Sequence, residues 1–162
     1  MKFFWKLIAT GFGAGYSPLA PGTMGAALAC LILWLLHIWQ PESFSGNWSV
    51  AHWLLDLILL FGGLGVAATD ALADEWGHDP SKVVVDEMVG LWVAMLGIPV
   101  TWQWLLAAFV LFRIFDIWKP LVIKRAEALP GGWGVMADDV LAGIYSAALL
   151  HLFIFAKEIF FN

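Results

Sequence analysis

Charge is scarce in this chain and cysteine nearly absent. Of 162 residues, 13% are charged and 62% hydrophobic, whereas a water-soluble domain carries about 25% charged residues. That shortage excludes an ordinary soluble globule and points to a membrane domain, expected to be one unit over 1–162. The single cysteine, Cys30, excludes a disulfide framework and reads as a small buried hydrophobe. No Arg lies near it to make a cysteine-based phosphatase loop. A Gly-x-Ser-x-Gly elbow and a His-Glu-x-x-His zinc helix are both missing, which removes two familiar hydrolase designs. Eight basic residues against 13 acidic ones exclude the net basic face that nucleic acid requires.

What is present is apolar and aromatic. Eleven Trp and twelve Phe suit the interfacial belts of a membrane protein. The apolar regions are 24–39, 50–68, 88–112 and 140–156. A full span takes about 20 residues. Region 88–112 holds a Gly97-Ile98-Pro99 break, which predicts two short helices joined by a turn, partly re-entrant or shallow. Residues 2–9 (KFFWKLIA) predict an amphipathic helix on the membrane surface rather than a cleaved leader, because Lys6 interrupts the apolar stretch. The fold class expected is thus all-α: a compact multi-helix membrane bundle with four to five embedded helices plus an N-terminal interfacial helix.

Charge bias sets the expected topology. Lys2 and Lys6, then Lys82, then the Arg113–Arg125 group are the basic clusters. The positive-inside rule places all three on the cytoplasmic side. Loops 10–23, 69–87 and 113–139 then meet at one membrane face, and 40–49 is an ordinary turn on the other, with Trp39 and Trp48 at the interface. Ten of the 13 acids fall in 70–87 and 113–139, beside five of the eight basic residues. Acids interleaved with bases suit a metal plus an anion.

Four constellations carry the polar chemistry. Gly11–Gly25 (GFGAGYSPLAPGTMG) opens an apolar helix, and its free N–H groups suit an anion. Thr23 there either caps the helix or donates to a phosphate oxygen. It has neither Walker A nor dinucleotide spacing. Residues 78–90 (HDPSKVVVDEMVG) bring Asp79 and the pair Asp86-Glu87 to a helix start, where capping competes with metal binding. His78 beside Asp79 is the one histidine near the acids. In 112–120 (FRIFDIWKP), Arg113, Asp116 and Lys119 lie three apart on one stripe. Arg113 and Lys119 suit phosphate, and Asp116 either orients Arg113 or ligates a metal. Residues 131–143 (GGWGVMADDVLAG) place Asp138-Asp139 after a glycine-rich turn. Carboxylate oxygens are the ligands Mg²⁺ prefers. Asp70, Asp74 and Glu75 read as a solvated helix end, and Asp56 as a mid-span group hydrogen-bonded within the bundle or serving as a relay.

In register, 11–25, 78–90, 112–120 and 131–143 resemble the phosphatidylglycerophosphatase A family over most of the chain. The resemblance implies a Mg²⁺-dependent lipid phosphatase that converts phosphatidylglycerophosphate to phosphatidylglycerol and phosphate in the bacterial inner membrane, its site facing the cytoplasm. The family's soluble relatives are all-α, with a central helix wrapped by others, which implies an all-α fold here. The family's acidic motifs fall on Asp79, Asp86, Glu87, Asp116, Asp138 and Asp139 as metal ligands, with Asp86, Glu87 and Asp139 catalytic. Thr23, Arg113 and Lys119 would bind phosphate. The competing reading is a small cation transporter or channel; it needs acids along a path through the bilayer, and Arg113 and Lys119 oppose one. A non-catalytic scaffold gives the acids no purpose. Oligomeric state has no signature in the sequence.

Overall fold

The computed structural model describes residues 2–40, 48–77, 80–120 and 122–161. The expected turn at 40–49 lies largely outside these residues, as do His78 and Asp79. Among the described residues the secondary structure is entirely helical. In chain order the helices are α1 (Lys2–Ala9), α2 (Pro21–Trp39), α3 (Trp48–Trp76), α4 (Val85–Ala94), α5 (Trp102–Trp118), α6 (Ile123–Ala126) and α7 (Gly132–Phe161), with a short 3₁₀ turn at Ala14–Tyr16.

Three helices are long and apolar enough to cross a membrane: α2, α3 from His52, and α7 to Phe160. Their outward faces carry large apolar side chains such as Leu35, Leu59, Leu60, Leu152 and Phe155. A hydrocarbon environment accounts for such a surface, which water would penalise.

Region 88–112 divides as its Gly-Ile-Pro break predicts. Helix α4 ends at Ala94, Gly97 takes a left-handed conformation (φ 73°), and Thr101 caps α5 by accepting from the Trp104 N–H. At ten residues, α4 is about 15 Å long, half a bilayer core. Nearly all of it is buried, from Met88 through Ala94 without interruption. It packs against α2, α3, α5 and α7, so it is a central helix that the others wrap. Trp92 at its heart donates its indole N–H to Ala29 O of α2 at 3.3 Å.

Two helices run further toward the polar end than their hydropathy suggests. Helix α3 continues through Asp70, Asp74 and Glu75 to Trp76, because those acids occupy a helix end that projects past the apolar zone. Asp70 is not simply solvated: its Oδ1 accepts from Gly132 N–H at 2.7 Å, capping the start of α7 from a neighbouring helix. Glu75 pairs with Lys2 and Lys6 of α1, and Lys6 also lies over the Trp76 ring, which pins the amphipathic α1 across the end of α3. Phe3 and Phe4 of α1 remain exposed, as a surface-lying helix requires. Helix α3 begins at Trp48, so Asp56 lies near its far end rather than mid-span. It is exposed instead of turned into the bundle, which corrects both sequence readings of that residue.

Candidate active site

Four helix ends build the site. The N-termini of α2, α4 and α7 and the C-terminus of α5 converge at one end of the bundle. They enclose a cavity of about 440 Å³. Asp86, Glu87, Arg113, Asp116, Lys119, Asp138 and Asp139 all line it. The three polar loops therefore do meet at one face.

Close backbone approach makes this convergence possible. A Cβ on Gly90 of α4 would fall 2.6 Å from Asp139 O of α7, and one on Gly143 would strike Gly90 O. These glycines let α4 and α7 pack backbone to backbone, as small residues do between membrane helices. Gly22 in the first turn of α2 plays the matching part: a Cβ there would collide with Glu87 Oε1 and come within 3.0 Å of Arg113 Nη1.

The consequence is a triad of carboxylates. Asp86, Glu87 and Asp139 each offer an oxygen, and these atoms lie within 4.8 Å of one another. Asp86 and Asp139 are buried. Glu87 Oε2 and Asp139 Oδ1 are buried without a hydrogen-bond partner. Burial, and then the neighbouring Asp86 charge, push the Glu87 carboxyl well above its ordinary range; burial also pushes Asp86 up. Three like charges this close, two with unpartnered oxygens, match the donor set of a hard cation. Capping does not explain Asp139: it sits eight residues into α7 as the helix begins at Gly132, past the four free N–H groups.

The remaining charged residues pair with one another. Arg113 Nη1 holds Asp116, while Arg113 Nε is buried and unpartnered. Lys119, in a left-handed conformation at the end of α5, holds Asp138 at 2.7 Å and also Glu127. Burial works against its charge, but those two carboxylates outweigh burial and keep its pKa above the usual lysine range. Asp138 Oδ1, on the side away from this pair, is buried and unpartnered. Of the six acids expected at a metal, the structure thus joins Asp86, Glu87 and Asp139. It sets Asp116 and Asp138 against the two cations, and Asp79 lies outside the described residues.

Thr23 stands in the first turn of α2 but not among the cavity-lining residues. The helix begins earlier than its apolar run, at Pro21, so Ala20 rather than Thr23 takes the cap position. Glu127, the second partner of Lys119, was not singled out by sequence; it lies in no motif, and only the fold brings it to Lys119.

Comparison with known proteins finds relatives over most of the chain. Residues 7–154 match the family described as Phosphatidylglycerophosphatase A. A phosphatidylglycerophosphatase A of Escherichia coli is 40% identical over 151 residues, covering 91% of this chain and 81% of its own. One from Haemophilus influenzae is 41% identical over 146 residues, covering 89% and 85%. A Bacteroides thetaiotaomicron protein, provisionally named a phosphatidylinositol-3-phosphatase, is 50% identical over 152 residues, covering 92% of each chain. No solved structure matches. A helical membrane bundle with an acidic pocket at one end, aligned to these relatives over nine-tenths of its length, belongs to the phosphatidylglycerophosphatase A family of phosphatases.

Proposed function

We propose that the chain hydrolyses phosphatidylglycerophosphate to phosphatidylglycerol and phosphate, with Mg²⁺ as cofactor. The observation that carries this reading is the triad Asp86, Glu87 and Asp139 in one cavity with Arg113 and Lys119. Asp86, Glu87 and Asp139 would hold Mg²⁺, whose preference for oxygen donors and substrate phosphate they suit. Bound there, such an ion would supply positive charge to offset what develops on the transferring phosphoryl group.

The chain's own groups supply the rest. Arg113 can direct its free Nε–H at a phosphate oxygen while Asp116 fixes the guanidinium plane. Lys119 adds a second positive charge, steadied by Glu127 and Asp138. One carboxylate, Asp86 or Glu87 by its position in the cavity, would take a proton from the attacking water. The N-terminus of α2 lines the same cavity through Pro21 and Gly22, and the free N–H groups of such a helix start would favour an anion there. A monoester on a lipid headgroup sits at the membrane interface, where the apolar helix faces give way to this cavity. The positive-inside pattern favours a cytoplasmic site in the inner membrane.

The names of the relatives leave two headgroups to compare: phosphatidylglycerophosphate, and a phosphoinositide bearing a 3-phosphate. The test is phosphate release by purified protein from each lipid, with Mg²⁺ and with chelator. We expect turnover of phosphatidylglycerophosphate that needs Mg²⁺ and falls at least 100-fold in Asp139→Asn. Equal release by wild type and variant would place the chemistry elsewhere. Faster turnover of the phosphoinositide would reassign the substrate.

A further inference from the structure

A second cavity, of about 410 Å³, opens between α2 and α5. Its lining is wholly apolar or sulfur-bearing, and includes Ala27, Cys30, Leu31, Trp34, Leu105 and Phe109. That volume is in the range of small-ligand pockets, roughly 300–1,000 Å³.

Its position follows from the register of two antiparallel helices. At the polar end, Gly22 of α2 adjoins Arg113 of α5. Deeper in, Cys30 Sγ lies 3.9 Å from Leu105 O. Each step is eight residues, so both helices put the Cys30–Leu105 contact about 12 Å below the active site. Ala27 lies about 7 Å below Gly22, and Trp34 about 18 Å. One leaflet of a bilayer core is about 15 Å deep. The groove thus starts just beneath the catalytic cavity, between the same two helices, and runs to the depth of one leaflet. A further apolar cavity, bounded by Leu36, Trp39, Trp53 and Leu57, lies at the opposite end of α2, away from the catalytic cavity.

We propose that the α2–α5 groove seats one acyl chain of the lipid whose phosphomonoester occupies the active site. This rests on the phosphatase reading above. A chain moving from bilayer to groove exchanges one apolar environment for another, so affinity gains little. The groove acts by orientation: it fixes the headgroup relative to Glu87 and Arg113, and the effect falls on turnover.

Ala27→Trp fills the groove outside the catalytic machinery. Its activity should drop about tenfold on a dioleoyl phosphomonoester lipid in nanodiscs, yet stay within twofold on the deacylated, water-soluble headgroup. Leu57→Trp, in the distant cavity, should change neither. Equal loss on both substrates, or no loss on the lipid, overturns the proposal. A second measurement does not depend on catalysis. A phosphomonoester lipid carrying a diazirine in its acyl chain should label Leu31, Leu106 or Phe109, and unlabelled phosphomonoester lipid but not phosphatidylcholine should compete. Labelling spread evenly over the outward faces of α3 and α7 would defeat the groove even if the phosphatase reading holds. Focused, competed labelling from a protein that releases no phosphate would instead defeat the phosphatase reading alone.

Discussion

Replacing Glu87 with glutamine should make the metal-free protein more stable and the enzyme inactive. The magnitude follows from the triad. Two unit charges 4.8 Å apart repel by about 3.5 kcal/mol at an effective dielectric of 20. Glu87 takes part in two such pairs, with Asp86 and with Asp139, so full ionisation would cost about 7 kcal/mol at that outermost spacing and more at any closer one. Proton uptake lowers it: holding an ordinary carboxyl protonated at pH 7 costs about 4 kcal/mol, and the site never bears more than the cheaper option. Glutamine keeps the shape, drops the charge and can donate to Asp86 or Asp139. We expect a gain of about 1–4 kcal/mol in chelator, read as a rise of several degrees in thermal unfolding in detergent. Divalent cation should reverse the order. At 100 times its dissociation constant an ion adds about 2.7 kcal/mol to wild type, while the variant, short of one ligand, gains far less. Activity should fall at least 100-fold. If Glu87→Gln leaves the chelated protein no more stable, and Mg²⁺ lifts both proteins equally, the triad is not an electrostatic strain relieved by a cation.

Gly22→Ala should keep the fold yet cut activity about tenfold, since its Cβ needs the space of the Glu87 carboxylate; circular dichroism and phosphate release measure the two halves. In chelator, stability should fall as pH rises. Asp86 and Glu87 have raised pKa values when folded, so the native state binds more protons than the unfolded one from about pH 4 upward. Stability is then greatest below that point and declines until both groups have ionised; a melting temperature that climbs with pH over this window would contradict it. Asp70→Ala should lower stability by about 1 kcal/mol through loss of the α7 cap, with little change in turnover by the folded protein.

Much of the site was legible because its chemistry is written in short motifs. Adjacent acids such as Asp86-Glu87 and Asp138-Asp139 are costly in an apolar chain, and the positive-inside pattern placed their loops at one face. The division of labour among the acids was not legible. Asp138 and Asp139 are neighbours in sequence, but successive residues on a helix point about 100° apart, so one turns to Lys119 and the other to the triad. Hydropathy also misplaces helix ends. The polar first turns of α7 read as a loop, yet they are helical, and a tertiary contact, Asp70 on Gly132, supplies a hydrogen bond at their start. Glu127 has no local signature at all; a 3D contact with Lys119 gives it its place.

The seam where Gly90 meets Asp139 O and Gly143 meets Gly90 O also acts as a gauge. Asp86 and Glu87 stand on one side of it and Asp139 on the other. The approach of the two backbones there sets the frame within which the carboxylate side chains meet. Cations differ in bond length by small amounts, about 2.0–2.1 Å for Mg²⁺ and 2.3–2.6 Å for Ca²⁺. A methyl group inserted at either glycine widens the jaw by more than that difference. For a cation held there, discrimination between ions of equal charge would thus rest on two hydrogen atoms, those that occupy the place of a side chain at Gly90 and Gly143.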